Sequence, residues 1–161
     1  MRHVSKAQRR FSHKGHEERF LHKGHEEVHQ RVSTFAPIPV ETERVATTII
    51  GAGIDVHRVL GPGFLERIYE EALCIELRTR GLTFERQRAI FVHYRGFEIP
   101  GQRIDLIVCN CVLVELKAIA RIDTAHEAKV ISYLRTTQLR LGLLLNFNCR
   151  TLRQGITRIV V

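Results

Sequence analysis

The segment RIDLIVCNCVLVELKA, residues 103–118, constrains this chain most, because it places charges inside two apolar runs. Asp105 lies in the first run, and Glu115 and Lys117 lie in the second. Most of the other residues are Ile, Leu and Val, a pattern typical of strands that are buried on both faces. Ionised groups in such strands are costly unless they are paired. The segment therefore predicts a hairpin that carries a polar site.

The two acids of this hairpin favour a bound cation. Carboxylates within about 4–6 Å of each other raise one another's pKa unless a positive charge lies between them. Oxygen ligands beside one ammonium group are typical of a magnesium site that acts on phosphates, and manganese could substitute. The same repulsion predicts that neutralising either Asp105 or Glu115 stabilises the protein without metal.

The length of the hairpin loop decides whether these charges meet. A two-residue loop would put Asp105 and Glu115 on opposite faces. A three-residue loop, Cys109–Cys111, or a β-bulge near it, would pair them and leave Lys117 on the same face; Asn110 tolerates the left-handed backbone that such a loop needs. The alternative is a set of strand-end charges that point to solvent.

Lysine usage gives a second indication about Lys117. After residue 36 the chain contains fifteen Arg and only two Lys, Lys117 and Lys129. Because the two cations are not interchangeable, a lysine in so arginine-rich a chain indicates that a compact ammonium group matters at position 117.

Length and composition predict one domain with a substantial core. The 161 residues carry a formal charge of +8, which favours anionic partners such as nucleic acid. Apolar runs are too short to cross a membrane, and no nucleotide-binding motif is present, so we expect neither a membrane nor a nucleotide cofactor. Four cysteines predict a reducing, cytoplasmic location, with Cys74 and Cys149 as small core residues. The sequence does not indicate an oligomeric state.

Residues 1–36 differ from the rest of the chain. The hexapeptide HKGHEE occurs at residues 13–18 and again at 22–27, and six of the nine histidines precede residue 31. Apolar residues are sparse and non-periodic there, which predicts a disordered, low-complexity tail. A metal-binding role for these histidines is the alternative. The folded domain is expected over residues 37–161.

The remaining periodicities predict a mixed sheet flanked by helices, an α/β (α+β) fold. A first helix of about twenty residues should end at Gly61-Pro62-Gly63. A second should end at Gly81, and a third should open with a capping box at residues 124–127. The apolar stripe of the second helix is expected at Leu65, Ile68, Tyr69, Ala72, Ile75 and Leu77. Strands are expected at residues 83–93, 97–99, 102–108, 112–118, 141–147 and 155–161.

One motif resembles that of a known family. Residues 63–69, GFLERIY, match the Gly-x-x-Glu-x-x-Tyr signature of the GxxExxY proteins, and His57, Arg58 and residues 60–63 match the segment before it. The resemblance covers residues 45–161. These proteins look like members of the PD-(D/E)XK nuclease superfamily, close to its RecB-like branch, which implies a restriction-endonuclease-like core.

The resemblance implies roles for particular residues. Asp105, Glu115, Glu66 and the Leu116 carbonyl would hold magnesium, and Lys117 would activate water. His57, Tyr69, His126, Lys129 and Tyr133 become auxiliary candidates. RecB-like relatives carry Gln where this chain has Lys129, four residues before Tyr133; the lysine either adds a cation beside the scissile phosphate or weakens the orientation of water.

Two functions follow as hypotheses. The first is a magnesium-dependent nuclease that hydrolyses phosphodiester bonds of DNA or RNA, and the second is a catalytically impaired module that binds nucleic acid or forms a complex on the same fold. The candidates for phosphate contacts are Arg88, Arg103, Arg121 and Arg135, and the sequence does not show which of them line a cleft.

Overall fold

The structure is a computed structural model and describes residues 36–161. The elements follow in the order α1 (Val40–Leu60), α2 (Glu66–Thr79), β1 (Phe84–Tyr94), β2 (Phe97–Val108), β3 (Val112–Lys117), α3 (Thr124–Thr137), β4 (Leu141–Asn146), a 3-10 turn (Leu152–Gly155) and β5 (Ile156–Val160). The tail expected over residues 1–36 and its alternative metal-binding role lie almost entirely outside the described residues.

The five strands form one mixed sheet in the order β1-β2-β3-β4-β5. Neighbouring strands are antiparallel except for β3 and β4, which are parallel and connected through α3. A parallel pair needs such a crossover, and a helix between the strands supplies it. The predicted fold class is therefore confirmed.

The sheet separates two apolar layers. Helices α1 and α2 cover one face through residues such as Ile49, Tyr69 and Leu73, and α3 covers the other through Val130 and Leu134. The central strands are buried on both faces, since every residue of β4 and the first five residues of β3 are buried. This burial on both faces explains the continuous apolar runs of the sequence.

Helix α1 is confirmed, but the predicted stripe of α2 is partly wrong. Leu65 precedes the helix and is 66% exposed, and Ile75 is 53% exposed. The buried stripe contains Tyr69, Leu73, Cys74 and Leu77, because only the side of α2 that faces α1 and the sheet needs to be apolar. Cys74 is a core residue as expected, whereas Cys149 is only half-buried.

Two boundaries also differ from the sequence prediction. The strands predicted at 97–99 and 102–108 are one strand, β2, which passes Gly101 through a register irregularity opposite Ile90 and Phe91. The cap of α3 is Asp123 rather than Thr124. The Asp123 carboxylate accepts from the backbone of Ala125 and His126. Among the helices of residues 36–161, none is long and apolar enough to cross a membrane.

Candidate active site

The loop between β2 and β3 contains three residues. Val108 pairs with Val112, and the backbone is left-handed at Cys109 (φ 48°) and Asn110 (φ 53°). Asparagine tolerates this conformation better than most residues. The three-residue loop predicted from the sequence is confirmed, but the expected backbone pair of Asp105 with Glu115 is not formed, because the register ends at Leu106 and Val114.

Backbone pairing between β2 and β3 stops at Leu106 and Val114, one residue before Asp105 and Glu115. Beyond this point the side chain of Asp105 takes the place of a backbone acceptor, because its Oδ2 accepts a hydrogen bond from the Leu116 N–H at 2.8 Å. The Asp105 side chain therefore links β2 to β3 where their backbones no longer pair.

Glu115 is the centre of the polar cluster. Its side chain is 1% exposed, and its Oε1 accepts from Lys117 Nζ at 2.9 Å and from Lys129 Nζ at 2.7 Å. Its Oε2 is buried and has no hydrogen-bond partner among the described residues. An unpaired buried acceptor costs about 1–3 kcal/mol, so this oxygen marks a position that favours a cation or a donor.

Lys117 links Glu115 to the second helix. Its ammonium also donates to the Leu116 carbonyl at 2.5 Å and lies 3.6 Å from Glu66 Oε1. Glu66 is the first residue of α2, where the positive end of the helix dipole stabilises a carboxylate. The side chains predicted from the sequence, Glu66, Glu115 and Lys117, therefore converge, and Asp105 joins them through the Leu116 backbone.

The environment of Asp105 disfavours its charge. Burial and the neighbouring carboxylate of Glu115 raise the pKa of Asp105 from 3.8 to about 6, although the Leu116 N–H and Lys117 oppose the rise. A carboxyl group with a raised pKa beside an unpaired carboxylate oxygen is typical of a site that takes a cation.

We expect Asp105→Asn to make the protein more stable at pH 7 in chelator, by about 1–2 kcal/mol after allowing for partial solvent exposure. The folded protein holds the Asp105 proton more tightly than the unfolded chain, so its stability falls as the pH rises from about 4 to 6 and then levels off. Asparagine still offers an oxygen that can accept from the Leu116 N–H. Because asparagine does not ionise, the stability of the variant should not fall in this way as the pH rises.

Urea unfolding of both proteins across this pH range measures the effect. The free energies of unfolding of the parent and the variant should converge below about pH 4, where Asp105 is protonated in both the folded and the unfolded state. A variant that is less stable than the parent at pH 7 would show that the Asp105 charge is structural.

Lys129 and Tyr133 of α3 both belong to the site. The ammonium of Lys129 lies 5.2 Å from the centre of the Tyr133 ring and binds Glu115. Burial opposes the charge of Lys129, but the hydrogen bond and charge of Glu115 outweigh it and raise the pKa of Lys129 above its usual range. Burial also raises the pKa of Tyr133, so its hydroxyl stays protonated. Lys129 is therefore a fixed cation.

His57 and Tyr69 support the site without touching its charged groups. The Tyr69 hydroxyl donates to the Gly61 carbonyl at 2.7 Å and accepts from the Phe64 N–H at 3.1 Å, which fixes the turn before Glu66. His57 is buried, and its Nε2 donates to the Cys149 carbonyl at 2.9 Å.

His126 is engaged in capping α3. Its Nδ1 lies 2.5 Å from Asp123 Oδ1, and its backbone N–H donates to the same oxygen. The resemblance made this residue an auxiliary candidate, and the observed contacts are those of a capping residue.

The four arginines proposed for phosphate contacts are dispersed. Arg103 donates to the Gln87 carbonyl at 3.0 Å, close to Asp105, and Arg88 lies 3.6 Å from Glu85. Arg121 lines a cavity behind β4, and Arg135 is exposed in the last turn of α3. Only Arg103 is connected to the carboxylate cluster through a described contact.

Sequence reasoning missed Glu70 and Gln87. The Gln87 amide donates to Glu70 Oε2 at 3.0 Å and to Asp105 Oδ1 at 3.4 Å, and so bridges α2 and β2. Glu70 follows Glu66 by four residues on one face of α2, a spacing that could have revealed it. Gln87 adopts φ 49° within β1, a strained backbone for glutamine that no sequence pattern predicts.

No group of three or more His, Cys, Asp or Glu side chains within residues 36–161 is arranged closely enough to hold a metal ion. The reason is visible in the contacts: Lys117 lies between Glu66 and Glu115, and Lys129 shares the same oxygen of Glu115. The oxygens gathered here are those of two strand carboxylates, one helix carboxylate and one backbone carbonyl.

Comparison with family models identifies the chain. The model of the PD-(D/E)XK nuclease superfamily matches residues 43–159, which include all the helices and strands apart from the start of α1 and the last residue of β5. The chain belongs to the PD-(D/E)XK nuclease superfamily. Asp105 and the Glu115-Leu116-Lys117 triplet lie within the matched residues and have the residue types, an acid and an acid-x-lysine, that the name of the superfamily contains. Comparisons with curated proteins and with solved structures gave no significant match.

Proposed function

We propose that this protein is a divalent-metal-dependent nuclease that hydrolyses phosphodiester bonds of DNA or RNA, and that it belongs to the GxxExxY group near the RecB-like branch. The observation that carries the proposal is the Glu115 carboxylate, whose Oε2 is buried and unpartnered beside the charge-disfavouring environment of Asp105. The membership in a nuclease superfamily supports it.

The oxygen donors have the chemistry that a hard cation such as Mg²⁺ or Mn²⁺ prefers, although Lys117 now lies between Glu66 and Glu115. Asp105, Glu115, Glu66 and the Leu116 carbonyl would hold it, since these are oxygen donors of the kind that such ions prefer. The ion would supply a bound water of lowered pKa and would offset the charge of the phosphate.

In this proposal Lys117 would act on the reacting groups. Its side chain is 13% exposed, and it donates to Glu115 and Leu116 with one hydrogen left for another acceptor. That third donor would orient the attacking water or stabilise charge that develops on the phosphate. Glu66 is 41% exposed and leaves the site open on this side.

A cleavage assay tests the proposal. Labelled single- and double-stranded DNA and RNA are incubated with the full chain in magnesium, in manganese and in chelator. We expect cleavage that requires a divalent ion and disappears in Asp105→Asn. If none of these substrates is cut with either ion, or if Asp105→Asn cuts as fast as the parent, the proposal is wrong.

The contact between Lys129 and Glu115 favours the alternative, an impaired module that binds nucleic acid or forms a complex. An ammonium 2.7 Å from a metal-binding carboxylate competes with the ion for that charge. The alternative predicts weaker ion binding than the main proposal does. The affinity for the ion after substitution of Lys129 therefore distinguishes the two.

We expect Lys129→Gln to bind manganese roughly tenfold more tightly than the parent, because it removes a positive charge beside Glu115. Titration calorimetry without nucleic acid measures the change. Arg135→Gln on the same helix loses the same charge away from the cluster and serves as the control. Unchanged affinity would mean that Lys129 does not compete for Glu115; cleavage gained only in Lys129→Gln would favour the impaired module.

A further inference from the structure

A second polar feature lies outside the carboxylate cluster. A cavity of about 490 Å³ opens between the end of α1, the Gly61-Pro62 turn and the 3-10 segment. Its walls contain Ile54, His57, Arg58, Gly61, Pro62, Arg150, Thr151, Leu152 and Arg153. This volume is that of a pocket for one small organic ligand, such as a single nucleotide.

The charged side chains that line this pocket are all cationic. Three arginines line it, and no Asp or Glu does. Arg58 is paired with Asp55 at 2.6 Å, but no carboxylate of residues 36–161 lies within 4.0 Å of Arg150 or Arg153. Two guanidinium groups that face a cavity without a counter-ion are suited to a phosphate, which they can bind through paired N–H donors.

The other walls are apolar or already hydrogen-bonded. Ile54 and Pro62 provide apolar surface, and the His57 Nε2 is engaged by the Cys149 carbonyl. A ligand with an anionic group and a less polar body would match this combination. A nucleotide unit, with its phosphate, sugar and base, has that chemistry.

The pocket adjoins the candidate active site through a stack of rings. His57 stacks on Phe147 with ring centres 6.4 Å apart, and Phe147 stacks on Tyr69 at 4.5 Å. The Phe147 N–H donates to the carbonyl of Lys117 at 2.8 Å. His57 of the pocket wall is therefore connected to the end of β3 through Phe147.

We propose that this pocket binds a phosphate, with its sugar and base, of the nucleic-acid strand that the active site cuts. Arg150 and Arg153 bind the phosphate, and Ile54 and Pro62 cover the sugar or base. The assignment rests on the proposed nuclease function for the identity of its ligand. A free nucleotide offers the same chemistry, so the test separates the two sources.

The experiment measures binding of a fluorescent single-stranded DNA to the full chain in chelator, where cleavage cannot interfere. The pocket variant is Arg150→Ala with Arg153→Ala. The control is Arg44→Ala with Arg95→Ala, which removes the same charge from exposed positions on α1 and on the β1–β2 turn. Thermal unfolding of all three proteins checks that the fold is retained.

We expect the pocket variant to bind the DNA roughly tenfold more weakly than the parent. It should also lower the slope of log affinity against log salt by about 0.7 for each phosphate that the protein no longer neutralises. The control should bind less than about threefold more weakly. A nucleoside 5′-monophosphate should compete with DNA for the parent, and the unphosphorylated nucleoside should not.

Equal decreases in the affinity of the pocket variant and the control would overturn the proposal, because only net charge would then matter. Binding of the monophosphate to the pocket without any change in DNA affinity would overturn the assignment to a strand. A selective decrease of DNA affinity in a protein that cuts no substrate would support the pocket and refute the nuclease. Cleavage of nucleic acid with no selective decrease would refute the pocket alone.

Discussion

Replacement of Glu115 by Gln should abolish cleavage and lower the free energy of unfolding at pH 7 by about 2–3 kcal/mol. Removal of one partner from a buried ion pair leaves the other charge uncompensated, at a cost of several kcal/mol, and Lys129 is partly exposed, which reduces that cost. Both Lys117 and Lys129 lose their carboxylate in this variant. Urea unfolding in chelator and the cleavage assay measure the two effects.

This expectation revises the prediction made from sequence, that neutralising either acid would stabilise the protein. For Asp105, whose pKa is raised, we still predict that neutralisation stabilises the protein. For Glu115 the contacts with Lys117 and Lys129 argue against such a stabilisation. Glu127→Gln, in the first turn of α3, is a matched control, since no ion pair of Glu127 is found among residues 36–161. If Glu115→Gln unfolds at the same urea concentration as the parent, the lysines do not depend on Glu115.

Exchange of Lys117 for Arg should lower the rate of cleavage by a hundredfold or more, which corresponds to about 3 kcal/mol of transition-state stabilisation. The charge is retained, but the planar guanidinium is larger and cannot reproduce the short contacts of Nζ with Glu115 and Leu116. Single-turnover cleavage measures the rate, and DNA affinity in chelator should change little.

Lys129→Arg provides the matched control for Lys117→Arg. Both lysines contact the same oxygen of Glu115, but Lys129 is 38% exposed and can accommodate a larger head group. We expect its exchange to reduce cleavage by less than about tenfold. Parental rates in Lys117→Arg would leave Lys117 as a counter-ion only, and equal decreases in both variants would assign the effect to Glu115 rather than to Lys117.

Much of the site could be predicted because it depends on parity along two strands. Side chains alternate along a strand, so a loop of three residues was enough to predict that Asp105, Glu115 and Lys117 lie close together. The two lysines could be singled out from composition alone, and both bind Glu115. Patterns of this kind depend only on residues that are near each other in the sequence, so they can be identified without the structure.

The remaining features depend on contacts between residues that are far apart in the chain. Gln87 reaches Glu70 and Asp105 only because β1 lies next to β2 and α2 packs above them. Arg150 and Arg153 meet the end of α1 through the position of the 3-10 segment. The stripe of α2 was misjudged for a related reason, since periodicity does not show which apolar positions face a neighbour.

The ion pairs of Glu115 also bear on how this chain folds. One carboxylate oxygen is held by two ammonium groups from separate elements, β3 and α3, so the polypeptide supplies its own counter-charges across the sheet. Small metalloproteins whose ligands lack such partners fold only when they are loaded. These ion pairs predict a chain that folds before any ion binds. A bound ion would then add to the stability of a chain that is already folded.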